Sequence, residues 1–228
     1  MKSWCRALAR GLASLALLVA TTVSAQQGGA IRFGQSLPLS GPLTELGTEY
    51  RDGAVSYFKW LNSKGGVHGR RIELVTLDDG YVVDKTVENA RKLEQDGVFA
   101  FLGMFGSANY AALIPFVNER GIPSVAPYTG ADSLRAQNSP TTFWLRASYG
   151  DETEKIIDQL TTLGVNRIAV FYQDDAFGKA GLAGVEAALE KRKLKVLKTG
   201  IYDKTKNDVG EAVRAIGSAD PQAVVMIS

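Results

Sequence analysis

Seven short apolar runs rich in branched residues punctuate the chain: Ile31–Leu37, Ile72–Leu77, Val98–Leu102, Ile122–Ala126, Arg167–Tyr172, Leu194–Ile201 and Ala223–Ile227. Between most of them apolar residues recur at helical spacing: Tyr50, Ala54, Phe58 and Leu61; Leu113 and Val117; Ile156, Leu160 and Leu163; Leu182, Val185 and Leu189. Strands that alternate with helices predict an α/β protein with parallel sheets covered on both faces. Asp84 and Ser148 are expected to cap helix starts, Ser148 with Asp151 as a loose capping box. Gly65-Gly66 and Gly121 are expected to end helices.

The alternation breaks once. Pro127 to Ser148 is irregular, with Gly130, Pro140 and polar residues, and Thr142–Leu145 is its one short extended candidate. This stretch reads as a crossover between two α/β units, the first over about residues 30–127 and the second beginning near Ser148. The run Ala223–Ile227 has a buried-strand pattern that stops one residue before Ser228. The second unit then holds about three main strands where sheets commonly have four to six, so the sequence is expected to be a fragment.

Composition changes the picture mainly at the N-terminus. Lys2, Arg6 and Arg10 precede the apolar stretch Gly11–Ala20 and the small-residue site Val23-Ser24-Ala25, so residues 1–25 read as a signal peptide and Gln26 as the mature start. A membrane anchor is the alternative, but a spanning helix needs about 20 apolar residues and this run is shorter. Removal of the leader takes Lys plus Arg from 26 to 23 against 24 acidic residues, a net charge of −1. No basic run survives to suggest nucleic acid or an anionic membrane surface. The single cysteine, Cys5, lies inside the leader, so the mature chain has no thiol for a disulfide, a metal site or catalysis. With 45% hydrophobic and 22% charged residues, the rest is an ordinary globular composition.

The richest local chemistry is the turn from Leu102 through Gly103, Met104, Phe105, Gly106, Ser107, Ala108 and Asn109 to Tyr110. An apolar strand meets glycines and then a serine where a helix should begin. Helix starts expose unpaired N–H groups at the positive end of the dipole, so the turn is suited to an anion. No lysine follows Gly106, which excludes the phosphate loop of an NTPase. A carboxylate held by the Ser107 hydroxyl and backbone amides fits better, and a plain N-cap serine is the competing reading. Asp78-Asp79 and Asp174-Asp175 follow strands and read as turn-bridging and capping carboxylates, with no metal-ligand set beside them. His68 in Gly66-Val67-His68-Gly69 has no nucleophile near it in sequence, and Phe105, Trp60 and Trp144 read as packing residues.

Several motifs follow one another in a recognisable order: Leu39-Ser40-Gly41-Pro42, Gly47, Gly53-Ala54, Asn62, Lys64-Gly65-Gly66, Gly69, Asp78-Asp79, Lys92-Leu93, Gly103, Ser107, Gly121-Ile122-Pro123, then Asp174-Asp175 and Phe177-Gly178. This series resembles the leucine/isoleucine/valine-binding protein family, periplasmic substrate-binding components of ABC transporters with the type I bilobal fold, over essentially the whole mature chain. Pro127-Tyr128-Thr129-Gly130-Ala131 with Leu134-Arg135 resembles a branch whose ligands vary. The resemblance implies an α/β fold of two Rossmann-like lobes: an N-terminal lobe over 26–127, a crossover or hinge over 128–148, and a partial second lobe over 149–228. The family's chain passes between its lobes three times and holds ligand in the cleft, so the rest of the second lobe and the return hinge strands are expected beyond Ser228.

By that resemblance Ser107 grips the ligand's carboxylate. Tyr128 lends its main chain and its ring, Thr129 stands one residue before the family's threonine, and Gly130 occupies that threonine's position, offering only an amide; a structural turn is the alternative. Leu46 falls where some relatives place an aromatic ring, or packs at a helix start. Tyr149 lines the cleft just past the crossover, and Phe177 replaces a ligand-contacting tyrosine or packs at its helix start. The carboxylate that balances an ammonium in amino-acid binders would follow Ser228, so an amino acid, an amine-free carboxylate and an amide stay open as ligands.

The expected function is a periplasmic binding module, not an enzyme, that closes two lobes around a small ligand and presents it to a membrane permease. No cofactor, metal or nucleic acid is expected, and the protein is expected to be a monomer. A secreted sensor domain of a receptor and a secreted α/β enzyme are the alternatives; the absent nucleophile–base set and absent Gly-x-Gly-x-x-Gly count against the enzyme.

Overall fold

Two parallel sheets carry the chain. The computed structural model describes residues 29–206 and 208–228, so the expected leader over residues 1–25 lies outside the described residues. The first sheet contains β1 (Ile31–Leu37), β2 (Ile72–Asp78), β3 (Ala100–Leu102), β4 (Ser124–Val125) and β5 (Thr142–Phe143) in the order β2-β1-β3-β4-β5. The second contains β6 (Ile168–Gln173), β7 (Thr199–Tyr202) and β8 (Ala223–Ile227) in the order β7-β6-β8. Every pairing between these strands is parallel, with Ile31 opposite Ile72 and Ile168 opposite Ala223 fixing the two longest registers.

Helices connect the strands: α1 (Thr44–Ser63), α2 (Val83–Gln95), α3 (Ser107–Arg120), the single turn α4 (Asp132–Arg135), α5 (Tyr149–Thr162), α6 (Ala176–Glu190) and α7 (Gly210–Gly217). The capping box at α5 forms as the sequence predicts: Ser148 Oγ accepts from Asp151 N–H and Asp151 accepts from Ser148 N–H, both at 3.1 Å. Gly121, with φ 65°, closes α3 in the left-handed region. Asp84 does not cap α2. Val82 stands at the cap position, and Asp84 in the first turn meets the positive end of the helix dipole instead.

The fold departs from the expected pattern in three places. The extended segment at Thr142 joins the first sheet as its edge strand, held by Ser124 N–H on Thr141 O and Ala126 N–H on Phe143 O, both 2.8 Å. The run Leu194–Ile201 becomes a strand only from Thr199, although Leu197 N–H already donates to Ile168 O at 2.8 Å. The buried stripe of α5 is Tyr149, Thr153 and Ile157. Ile156, expected on that stripe, is 43% exposed and Leu163 is 68% exposed.

Each lobe has its own apolar cluster. Leu93, Phe101, Met104, Tyr110, Leu113 and Val117 belong to the first; Ile157, Ile168, Val170, Val185 and Leu189 belong to the second. Tyr149 belongs to the first cluster although α5 leads into the second lobe, and Phe177 packs against both. No helix among the described residues is long and apolar enough to cross a membrane.

Candidate ligand-binding cleft

The carboxyl ends of both sets of strands face one cavity of about 280 Å³. Leu43 and Leu46 follow β1, Tyr81 follows β2, Phe105 to Ser107 follow β3 and Tyr128 follows β4; Gln173 ends β6 and Phe177 lies in the first turn of α6. Open α/β sheets present their loops for ligands at this end. Five of the residues singled out by sequence line it: Leu46, Ser107, Tyr128, Tyr149 and Phe177.

Ser107 is the first residue of α3, and Gly106 takes the cap position with φ 95°. A Cβ on Gly106 would stand 2.5 Å from the Tyr81 ring and 3.0 Å from Asn109 Oδ1, so only glycine brings the chain into the helix here. The Ser107 side chain does not cap its own helix. It is 2% exposed and its Oγ lies 2.7 Å from Thr129 Oγ1 and 3.4 Å from the Tyr149 hydroxyl.

Thr129 stands behind Ser107, fully buried, and its hydroxyl accepts from Ala131 N–H at 3.2 Å. Gly130 stays off the cavity wall. Its carbonyl accepts from Tyr149 N–H at 2.7 Å, and a Cβ there would lie 2.6 Å from Tyr149 Cδ1. The Tyr128 carbonyl, expected to face a ligand, accepts from Gly106 N–H at 3.2 Å and so ties the two loops together. The Tyr128 ring stacks on Phe105 at 4.7 Å and 9°, which makes Phe105 part of the wall as well as of the packing.

Sequence reasoning missed the charged part of the lining. Arg146 and Glu152 both reach the cavity and pair at 2.7 Å. The Arg146 guanidinium lies over the rings of Tyr128 and Tyr149, 5.2 and 5.6 Å from their centroids. Burial opposes its charge, but Glu152 alongside offsets this and holds its pKa above the ordinary value. Helical spacing puts Glu152 and Ile156 on one face of α5, but nothing in the sequence marks Arg146, which lies two residues ahead of the cap. Ile156 completes that face, which is why it is exposed.

Tyr81 spans the cleft. Its ring meets Lys204 Nζ at 3.9 Å, and burial, with the nearby Asp175 carboxylate, pushes its hydroxyl pKa well above the usual tyrosine value. The aspartate pairs behave as turn and cap residues. Asp78 Oδ1 accepts from the N–H groups of Leu39, Ser40 and Gly80, and Asp175 Oδ1 accepts from those of Phe177 and Gly178. Among the described residues no cluster of His, Cys, Asp and Glu could hold a metal ion.

Residues 30–228 match the family described as periplasmic binding protein. The chain belongs to this family. Among its relatives, Leu/Ile/Val-binding protein homolog 7 of Brucella abortus is 27% identical over 227 aligned residues, covering 92% of this chain and 57% of that protein. A substrate-binding periplasmic protein from Ralstonia solanacearum superposes with a TM-score of 0.82 at 39% identity, over 87% of this chain and 56% of the other. A solute-binding protein of an ABC transporter from R. palustris, solved in complex with benzoate, superposes with a TM-score of 0.79 at 25% identity, over 88% and 56%. The fold is the type I periplasmic binding protein fold, and the chain spans little more than half the length of these relatives.

Proposed function

We propose that this chain is the larger part of the ligand-capturing protein of an ABC importer, working in the periplasm once its leader is cleaved. One observation carries the reading: the hydroxyls of Ser107, at the start of α3, and of Tyr149 line one cavity that both lobes wall, with the Thr129 hydroxyl behind Ser107. A helix start and two hydroxyls favour a small ligand with a carboxylate end. The rings of Phe105, Tyr128, Tyr149 and Phe177 favour an apolar or flat body. The relatives' names extend the range from branched-chain amino acids to benzoate. In this role the protein delivers its ligand to a membrane permease as a monomer, needs no cofactor and performs no reaction.

The test is a screen of the complete gene product, stripped of ligand, against amino acids, short amides and aromatic and aliphatic acids. Thermal shift followed by calorimetry should find at least one small carboxylate with micromolar or tighter affinity, the range in which about 8 kcal/mol of binding free energy is recovered. A complete protein that binds nothing in such a library overturns the reading.

A further inference from the structure

Beside the cavity of about 280 Å³ lies a second of about 680 Å³, and the two share Leu43, Tyr81 and Gln173 as lining. The Tyr81 ring is the partition between them. On one side it meets Phe105, a wall of the first cavity, edge-on at 5.8 Å. On the other side Lys204, which lines the second cavity, holds its Nζ 3.9 Å from the ring centroid. The partition leaves the first cavity small, since ligand pockets commonly run from about 300 to 1,000 Å³.

The backbone sets the ring in this place. Tyr81 stands at φ 64°, a left-handed conformation uncommon for a bulky residue, and its N–H donates at 2.8 Å to the carboxylate of the fully buried Asp79. Such strain persists where surrounding contacts over-determine it. Behind the ring the second cavity has apolar walls from both lobes, Pro42 and Val82 on one side and Val209 on the other. Val82 and Val209 are 46% and 42% exposed, so the described residues leave this apolar surface in water. We infer that Tyr81 is a specificity-determining residue of the cleft, the partition that sets how long a guest can be. An apolar chain seated in the first cavity ends at the ring; with the ring gone it runs on past Leu43 between Val82 and Val209. The guests selected are therefore short and compact. This inference rests on the ligand-binding reading above.

The experiment is calorimetry on the complete gene product with straight-chain monocarboxylates, from butanoate through hexanoate and octanoate to decanoate. Each methylene that enters the cavity should tighten binding about fourfold. In the wild type this gain should stop or reverse once the chain reaches the Tyr81 ring. Tyr81→Gly removes the ring at a position whose φ glycine adopts freely, so the fold is kept. In this variant the gain should continue to decanoate, which should bind about tenfold tighter, or more, than it binds the wild type. Tyr81→Ala should act in the same direction, and Tyr81→Phe, which keeps the ring, should keep the wild-type limit. A merely structural tyrosine would weaken every acid alike. A wild-type gain unbroken to decanoate, or a limit that stays at the same length in both Tyr81→Gly and Tyr81→Ala, overturns the inference and leaves the binding reading standing. Silence from every acid also overturns it; the binding reading falls with it only if the wider screen is silent too.

Discussion

Lys204 stands over Tyr81 with its Nζ 3.9 Å from the ring centroid, a contact that reaches from the second sheet across to the first. The same ammonium lies 3.2 Å from Asp175 Oδ2, so one side chain ties the loop after β7, the α6 cap and the loop after β2. A cation over a ring contributes about 0.5–1 kcal/mol at a partly exposed site. Lys204→Ala should therefore favour the open cleft and weaken ligand binding about two- to fivefold, because closure contacts count toward affinity. Small-angle scattering with and without ligand, paired with calorimetry, checks this; unchanged dimensions together with unchanged affinity would count against a cross-cleft role.

Ser107→Ala should weaken binding and stability together. It removes the cavity-lining hydroxyl proposed to meet the ligand and also leaves the fully buried Thr129 hydroxyl without its 2.7 Å partner. A buried donor left unpaired costs about 1–3 kcal/mol, so the ligand-free protein should lose that much stability in urea titrations while affinity falls about ten- to a hundredfold. Loss of affinity with full retention of stability would show that Thr129 has another outlet.

Gly106→Ala tests the entry to α3. The new Cβ meets the Tyr81 ring at 2.5 Å on a backbone held at φ 95°. Strain of this kind costs about 1–3 kcal/mol, and its relief must move either Tyr81 or Ser107. Denaturant titration should show the loss, and ligand affinity should drop with it. Neutral stability would mean that the turn relaxes freely.

Asp79 gives the fold a pH signature. Burial raises its pKa above the ordinary aspartate value, against the pull of hydrogen bonds from Ser36, Tyr81 N–H and Thr86. A folded-state pKa above the unfolded one means that the native state holds the proton longer. Stability is then fully present below the unfolded pKa and declines as pH rises through the folded one. Asp79→Asn cannot ionise, so the stability of the wild type relative to this variant should fall between acid and neutral pH. Urea titrations at a series of pH values check the sign; a difference that grows with pH would reverse it.

Most of the scaffold was legible because its signals are local. Ile31–Leu37 and Ala223–Ile227 form strands with the bounds their apolar runs set, and Ser148 caps α5 through its own sequence neighbour Asp151. The misses came where a tertiary partner decided. Ile156 lines the cavity instead of the core, whereas the extended candidate at Thr142 does form, shortened to Thr142–Phe143 where it pairs with Ser124 and Val125. Asp84 lost the cap position by two residues, a shift that helical spacing alone does not resolve.

The cleft was legible in its lobe-one half. Leu46 and Ser107 lie in the first turns of α1 and α3 and Tyr128 follows β4, and the structure brings all three to one cavity. The exchange between Gly130 and Tyr149 was not legible, because a glycine in sequence does not say which distant ring takes its space. Arg146 and Glu152 read as ordinary surface charges until their pairing and their place over Tyr128 and Tyr149 are seen.

Phe177 belongs to the packing of both lobes, and this has a thermodynamic consequence. Any opening of the cleft would bring one face of that ring into water, and closure would expel the water. Apolar surface taken from water lowers the heat capacity. If the cleft captures a ligand as proposed, binding should carry a negative heat-capacity change larger than the guest's own apolar surface supplies, and grow more exothermic with temperature even for a small, polar guest.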